Sequence, residues 1–207
     1  MDKPLPPASR DPVVLTAQES SPSVIFPSFT ATTAWALGLS LRERILALPS
    51  SQRRPALISI SLGGAHPAPH VVFQCATEPG TVADNEEWVR RKRATVLRWG
   101  VSSWLMRRKV LAGLVAGVGG TGDDEGRERR EREMEKEVEG AFVRKFALGA
   151  SGGWGAPADE YAIHGGGFPV RVTGVDGVVG VIVVSGLRQE DDHQVVVETV
   201  REFLGES

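Results

Sequence analysis

Histidines that stand beside glycines or acids are the residues of this sequence best suited to chemistry. His164 precedes Gly165 and Gly166, where the backbone can approach a ligand closely and point N–H groups at an anion. Asp192 and His193 follow further along the chain. Because histidine titrates near neutral pH, it serves both acid–base catalysis and iron ligation. We therefore take His164, Asp192 and His193 as the candidate catalytic residues of one pocket. The alternative is that Asp192 caps a helix with His193 packed beneath it.

Two glycine-rich motifs match known site patterns but lack the flanking elements that those sites need. Gly117–Gly122 fits the dinucleotide fingerprint, yet a charged helix stands where the second strand should be. Gly149–Gly153 fits the nucleophile elbow of hydrolases around Ser151, yet residues 142–148 before it are typical of a helix. A low-complexity insertion and a loop serine explain these motifs better than a phosphate site or an esterase does.

Basic residues concentrate in two runs on one predicted helix, Arg90–Arg93 and Arg107–Lys109. Asp84 and Glu86 near the start of the same helix offset their charge, and no interleaving of aromatic and basic residues recurs elsewhere. The pattern favours a solvated or ion-paired helix face over nucleic-acid binding. One or two of these cations remain available for an anionic ligand.

Hydrophobic periodicity predicts the elements that must position these residues. Hairpins alternate with helices, which favours an antiparallel α/β sandwich over a doubly wound sheet. The predicted order is a helix from an N-cap at Ser28 to Pro49, strands at 56–62 and 70–75, a long helix from Asp84 or Asn85 to about Lys109, strands at 168–173 and 178–184, and a helix at 189–204.

Length and composition indicate one domain with two accessory segments. The chain has 207 residues, of which 41% are hydrophobic, enough for one packed core. Residues 1–23 are rich in Pro and Ser, which predicts a flexible leader before a single domain at 24–207. A low-complexity charged insertion at about 111–140 is expected to form a flexible loop that leads into a solvated helix.

Charge and cysteine content exclude several classes of protein. The net charge of −2 gives no bulk attraction to nucleic acid. Cys75 is the single cysteine, so the chain has neither an internal disulfide framework nor a zinc site built on several thiolates. No apolar run approaches the length of a membrane span, and Met1–Arg10 has no secretory h-region. These features predict a cytoplasmic protein with no membrane partner.

Four blocks of spaced residues carry a family resemblance. The blocks are Asp84-Asn85-x-x-Trp88-x-x-Arg91-Lys92, then Arg98 with an aromatic and Ser102-Ser103, then Tyr161-Ala-x-His164-Gly-Gly-x-Phe168-Pro169, and Val184-Ser185-Gly186-Leu187-x-Gln189-x-x-Asp192-His193. Together they resemble small cytosolic proteins of bacteria and fungi that are similar to the haem-degrading-like superfamily of GlcG, HbpS and the PduO C-terminal domain. The resemblance covers about residues 26–204 outside the insertion, and Arg188 stands where relatives commonly have Pro.

The resemblance implies an α/β fold, a profilin-like or PAS-like sandwich with a mainly antiparallel sheet flanked by helices. It also implies assembly as a homo-oligomer and, from the family's name, haem binding or haem breakdown. Fold carries over between such relatives better than chemistry does, so the cofactor stays open, with haem as one candidate.

Two functions of different classes are compatible with these observations. The first is a small-molecule site in which Arg91 or Lys92 neutralises a carboxylate, such as a haem propionate, while His164 or His193 ligates iron or moves protons. The second is a non-catalytic homo-oligomeric adaptor whose charged insertion binds a protein partner. The candidate ligand-binding residues are Asp84, Asn85, Trp88, Arg91, Lys92, Tyr161, Gly165, Gly166 and Ser185.

Overall fold

A five-stranded sheet forms the centre of the molecule. The computed structural model describes residues 3–63, 69–117, 124–149 and 156–205. The strands lie in the order β1-β4-β5-β2-β3, and every neighbouring pair is antiparallel except the parallel pair β1 and β4. This confirms the predicted sandwich class. The strands are β1 (Ile25–Phe26), β2 (Leu57–Leu62), β3 (His70–Ala76), β4 (Gly167–Val172) and β5 (Gly180–Ser185).

Helices cover both faces of the sheet. In β5, Ile182 and Val184 belong to the core beneath α2 and α7, while Val181 and Val183 pack with Val89 of α3 on the opposite face. All four β5 side chains are fully buried, and burial of each stabilises the fold by about 1.5–3 kcal/mol. The helices are α1 (Pro12–Glu19), α2 (Ala31–Leu46), α3 (Ala83–Trp99), α4 (Ser103–Gly117), α5 (Asp124–Met134), α6 (Val138–Lys145) and α7 (Gln189–Phe203).

Helix α2 begins later than the sequence predicts. Its N-cap is Thr30 rather than Ser28, because the Thr30 hydroxyl accepts a hydrogen bond from the Thr33 backbone N–H at 3.2 Å and the Thr33 side chain accepts in return from the Thr30 N–H. This reciprocal capping box satisfies two backbone donors that Ser28 would leave unpaired.

The predicted long helix is two helices, α3 and α4. Gly100 ends α3 with a left-handed backbone (φ 67°), and the Ser102 hydroxyl accepts from the Leu105 N–H at the start of α4. Neither Asp84 nor Asn85 caps α3. The N-cap is Val82, whose backbone N–H donates to Asn85 Oδ1 at 2.8 Å.

The expectation of a flexible leader is wrong for the described residues before 24. The Asp11 carboxylate caps α1, and Leu15 on that helix is fully buried against α4. The Trp104 indole donates to the Ser9 carbonyl at 2.9 Å, and the Glu19 carboxylate accepts from the Ser102 N–H. At its other end the segment reaches α2, where Arg44 donates to the Lys3 carbonyl at 2.7 Å. One apolar anchor and several hydrogen bonds, which leave no periodic pattern in the sequence, thus fix the segment.

The charged insertion at about 111–140, called the charged segment from here on, packs against α4 in its described part instead of standing in solvent. Arg107 on α4 donates to Glu135 at 2.7 Å, and Arg108 pairs with Glu131. Phe142 of α6 is buried against α4, so the segment has an apolar seam as well. The ion-paired alternative for the second basic run is therefore confirmed. Residues 118–123 and 150–155, which hold most of both glycine-rich motifs including Ser151, lie outside the described residues.

Candidate functional site

A cavity of about 230 Å³ opens where α3, the His164 loop and the turn between β5 and α7 meet. Asn85 and Trp88 lie on the first turns of α3, while Ser185 ends β5 and Asp192 lies on the first turn of α7. Residues far apart in sequence therefore converge on one place. The lining consists of Asn85, Trp88, Lys92, His164, Ser185, Gly186, Leu187, Gln189 and Asp192.

A second cavity of about 200 Å³ also borders His164. It is bounded by α3, by α6 of the charged segment and by the stretch before the histidine. His164 lines both cavities, so the two share this residue. The lining includes Arg91, Glu139, Phe142, Tyr161, Ile163 and His164.

The His164 imidazole is half-buried and uncharged near neutral pH. Its ring packs edge-on against Trp88 at 4.6 Å between centroids, and Nε2 lies 3.2 Å from Glu139 Oε1. Burial lowers the pKa of His164 to about 4. Glu139 acts to raise this pKa, whereas Arg107, Lys92 and Arg91 lower it further. Three cations therefore surround a neutral imidazole.

Lys92 and Asp192 form a buried ion pair at the base of the first cavity. Lys92 Nζ donates to Asp192 Oδ2 at 2.9 Å and to the Val184 carbonyl at 3.0 Å, and both side chains are 3% exposed. Asp192 Oδ1 accepts from the Leu187 N–H. Burial raises the pKa of Asp192, and Lys92 opposes that rise. The Asp192 carboxylate of the chain itself thus neutralises the ammonium of Lys92. The prediction that Lys92 neutralises a carboxylate of the ligand does not agree with this pairing.

The two predicted glycines of the loop serve packing against the chain itself. A Cβ at Gly165 would overlap the Gln189 carbonyl oxygen. At Gly166, whose φ is +115°, a Cβ would overlap the Val184 carbonyl oxygen and lie 3.0 Å from Lys92 Nζ. Only glycine allows the loop to lie this close to α7 and to the ion pair.

The comparison with protein families decides where the chain belongs. The HbpS-like family, described as haem degrading protein HbpS-like, matches residues 29–201. The chain belongs to the HbpS-like family. It is 34% identical over 195 residues to a UPF0303 protein of Streptomyces coelicolor, covering 94% of this chain and 96% of that one. It is 35% identical over 184 residues to a UPF0303 protein of Brucella melitensis, covering 89% and 83%.

Solved structures share the fold of this HbpS-like chain. The crystal structure of the Ybr137w protein superposes with a TM-score of 0.67 at 26% identity, over 94% of this chain and 87% of that one. A double mutant of Streptomyces reticuli HbpS superposes with a TM-score of 0.50 at 14% identity, over 86% and 88%. The second likeness shows the fold alone.

Not every predicted site residue of the HbpS-like chain reaches the cavities. His193 is 1% exposed and packs beside Trp104 and Phe168, which lowers its pKa to about 3 through burial. The expectation that it shares a pocket with His164 is wrong, because its position on α7 points it into the core. Asp84 is exposed on the first turn of α3 and lines neither cavity.

Four predicted ligand-binding residues hold the site together by hydrogen bonds between them. The Asn85 amide donates to the Ser185 carbonyl at 3.2 Å, which ties the start of α3 to the end of β5. Arg91 donates to the Tyr161 carbonyl through Nε and Nη2 and lies over the Trp88 ring at 5.0 Å. The Tyr161 ring packs against Trp99.

Gln189 and Glu139 are site residues that the sequence analysis did not select. Gln189 stands within the fourth motif block, and its Oε1 is buried with no hydrogen-bond partner in the described part of the chain. Glu139 lies in the segment taken as an insertion. The apolar pair Val138 and Phe142, four residues apart, is the signal that this helix packs on the domain and brings Glu139 to the site.

Haem, which the family name suggests, does not fit this site. Cavities of about 230 and 200 Å³ fall below the roughly 300–1,000 Å³ of pockets for drug-sized molecules, and haem is larger than those. His164 Nε2 faces a carboxylate, and its Nδ1 is enclosed by the protein.

Two further absences hold for the described residues only. Among these residues no group of three or more His, Cys, Asp or Glu could hold a bare metal ion. None of the described helices is both long and apolar enough to cross a bilayer.

Proposed function

We propose that this HbpS-like protein binds a small anionic molecule in the cavity beside His164. The observation that carries the proposal is the convergence of motif residues from α3, the His164 loop and the β5–α7 turn on one small cavity. The Trp88 ring, which packs edge-on against the His164 imidazole, offers an apolar face to the ligand. Asn85 and Gln189 supply polar atoms around it.

The charges near His164 support an anion as the ligand. Arg91, Lys92 and Arg107 all act on the His164 imidazole, and each disfavours its protonation. The same positive potential attracts a negative group placed beside the ring. Lys92 is paired with Asp192, and Arg107 Nε is paired with Glu135, which leaves Arg91 and the Nη1 group of Arg107 to face a ligand.

Binding is better supported than acid–base catalysis. A general base works best with a pKa close to the working pH, whereas the pKa of His164 is lowered to about 4. Asp192 is held by Lys92, and His193 is enclosed in the core. We therefore propose a binding function and assign no reaction to the site.

Titration with benzoate tests this proposal, because benzoate combines a carboxylate with a flat ring. We expect benzoate to shift the NMR signals of the His164 imidazole and of the Trp88 indole, which Trp88→Phe assigns. His164→Ala should weaken binding about tenfold, the loss of one charge-assisted hydrogen bond. His70→Ala, at the exposed start of β3, is the matched control and should leave binding unchanged.

Haemin provides the opposing arm of the experiment. We expect no Soret shift that depends on His164. Benzoate binding that is absent or indifferent to His164→Ala, or saturable haemin binding lost in His164→Ala, would overturn the proposal.

We also propose that the chain self-associates in the cytoplasm, in place of the adaptor hypothesis. An adaptor needs motif residues at its surface, whereas Lys92 and Asp192 are buried within the chain. A better candidate surface is the apolar patch of the exposed residues Trp35 and Leu39 on α2 and Val71 on the outer strand β3. A strand at the end of a sheet offers unpaired backbone groups to a second copy.

A further inference from the structure

One carboxylate of the chain reaches into the site from the docked charged segment. Glu139 Oε1 lies 3.2 Å from His164 Nε2 and 3.5 Å from Arg107 Nη1. The Glu139 side chain is nevertheless 60% exposed. The Glu139 side chain is therefore weakly held, because an exposed side chain loses rotamer freedom and gains only two long contacts in return, with His164 and Arg107.

Arg107 presents an unused donor at this place. Its side chain is 6% exposed, and Nε donates to Glu135 at 2.7 Å. Nη1 is buried and has no hydrogen-bond partner among the residues described by the structure. Leaving a guanidinium N–H without an acceptor costs free energy, and a charged donor costs more than a neutral one. The position in front of Nη1 therefore suits a better-placed acceptor than Glu139.

We propose that the position held by the Glu139 carboxylate is the subsite for a carboxylate of the ligand, and that Glu139 competes with the ligand for it. This inference rests on the proposed binding function and names its ligand class, a small carboxylic acid with a flat apolar part. A carboxylate has two acceptor oxygens, so it can accept from Arg107 Nη1 and from a protonated Nε2 of the neutral His164 at once. The apolar part then lies along the His164 ring, which packs against Trp88.

Displacement of Glu139 requires no release of the charged segment. Arg107 stays paired with Glu135, Arg108 stays paired with Glu131, and Phe142 stays buried. The Glu139 side chain needs only to rotate into solvent. A tethered competitor acts at an effective concentration of roughly millimolar order, so it lowers the apparent affinity of a free carboxylate without blocking the site.

The variant Glu139→Gln removes the competing charge and keeps the size of the side chain. We expect it to bind benzoate about tenfold more tightly than the wild type, as followed by the His164 and Trp88 signals. Benzamide, which has the same shape without the charge, should bind equally to both proteins. Glu133→Gln removes an exposed acid of α5 from the same segment and should match the wild type. Thermal unfolding of each variant verifies the fold.

Each outcome separates the two proposals. Benzoate that binds through His164 but no more tightly to Glu139→Gln overturns the competition and leaves the binding function standing. Weaker binding to Glu139→Gln would mean that Glu139 holds the ligand, which also overturns the competition. Benzoate that binds to none of the proteins overturns both proposals. If Glu139→Gln also bound benzamide more tightly, by the same factor as benzoate, the substitution would have made room in the site and not removed a competing charge. That result would contradict a carboxylate subsite.

Discussion

At the scale of single residues, His193 shows how burial decides what a histidine can do. It stands next to Asp192, yet the two side chains have opposite surroundings: Asp192 lines the cavity, and His193 is enclosed in the core. Burial lowers the pKa of His193 to about 3, so the ring stays neutral throughout the physiological range. The residue contributes to stability rather than to proton transfer.

This lowered pKa predicts a pH dependence of folding. The unfolded chain protonates His193 near pH 6.5, whereas the folded chain does so near pH 3. The stabilisation is complete above pH 6.5 and is lost as the pH falls towards 3, at a slope approaching about 1.4 kcal/mol per pH unit. Urea unfolding of the wild type and of His193→Phe at several pH values checks this, because the variant should show the smaller slope.

The difference between the pH profiles of the wild type and of His193→Phe cancels the contributions of the other titrating groups. Burial raises the pKa values of Glu19 and Asp192, which makes stability fall as the pH rises through the acidic range, the opposite sign. His164 has the same sign as His193. All three groups are present in both proteins, so they cancel in the difference. Parallel pH profiles for the wild type and His193→Phe would contradict the assignment.

Much of the candidate site is visible in the sequence at this scale. Asn85, Trp88 and Lys92 recur at helical spacing, and the fourth motif block places Ser185 and Asp192 on either side of the connection from β5 to α7. What the spacing does not reveal is that Lys92 is occupied by Asp192. Those two residues are 100 positions apart, and their pairing follows from the approach of α3 to α7 in the folded chain.

At the scale of elements, the loop before β4 depends on glycine for close packing. Gly166→Ala adds strain at φ +115° and a methyl group against the Val184 carbonyl and the Lys92 ammonium. We expect a loss of roughly 3–5 kcal/mol, the sum of backbone strain and overpacking. Gly174→Ala is the matched control, because Gly174 has φ +74° with nothing within 4 Å. It should lose only about 1–2 kcal/mol, from strain alone.

Chemical denaturation of the two variants separates clash from strain. The wild-type stability in the same experiment is the reference. Equal losses for Gly166→Ala and Gly174→Ala would show that the close approach contributes nothing, and the packing account of the loop would fail.

Periodicity predicts the existence of elements better than their ends. The hairpins of β2 with β3 and β4 with β5 were predicted within a few residues, because alternation of apolar side chains is strong there. The helix predicted through Gly100 fails because the apolar pattern continues across a residue whose backbone turns left-handed. Strand β1 has two residues, too few for any periodic signal.

At the scale of the whole molecule, the exposed apolar patch predicts self-association. Trp35 is 57% exposed and packs edge-on against Phe73 of the outer strand β3. We expect Trp35→Ser to lower the molar mass measured by light scattering, because the patch loses its largest apolar side chain. Val175→Ser, in the β4–β5 turn and 49% exposed, should leave the mass unchanged. An unaltered mass for Trp35→Ser would exclude this surface.

The segment ahead of residue 24 has a consequence for how the molecule opens. It joins the α2 side through Arg44 and the Lys3 carbonyl, and the α4 side through Trp104 and the Ser9 carbonyl. Because the segment is hydrogen-bonded to both α2 and α4, neither helix can detach alone without breaking these contacts. We therefore expect the two helices to unfold together, as one cooperative unit, rather than one after the other.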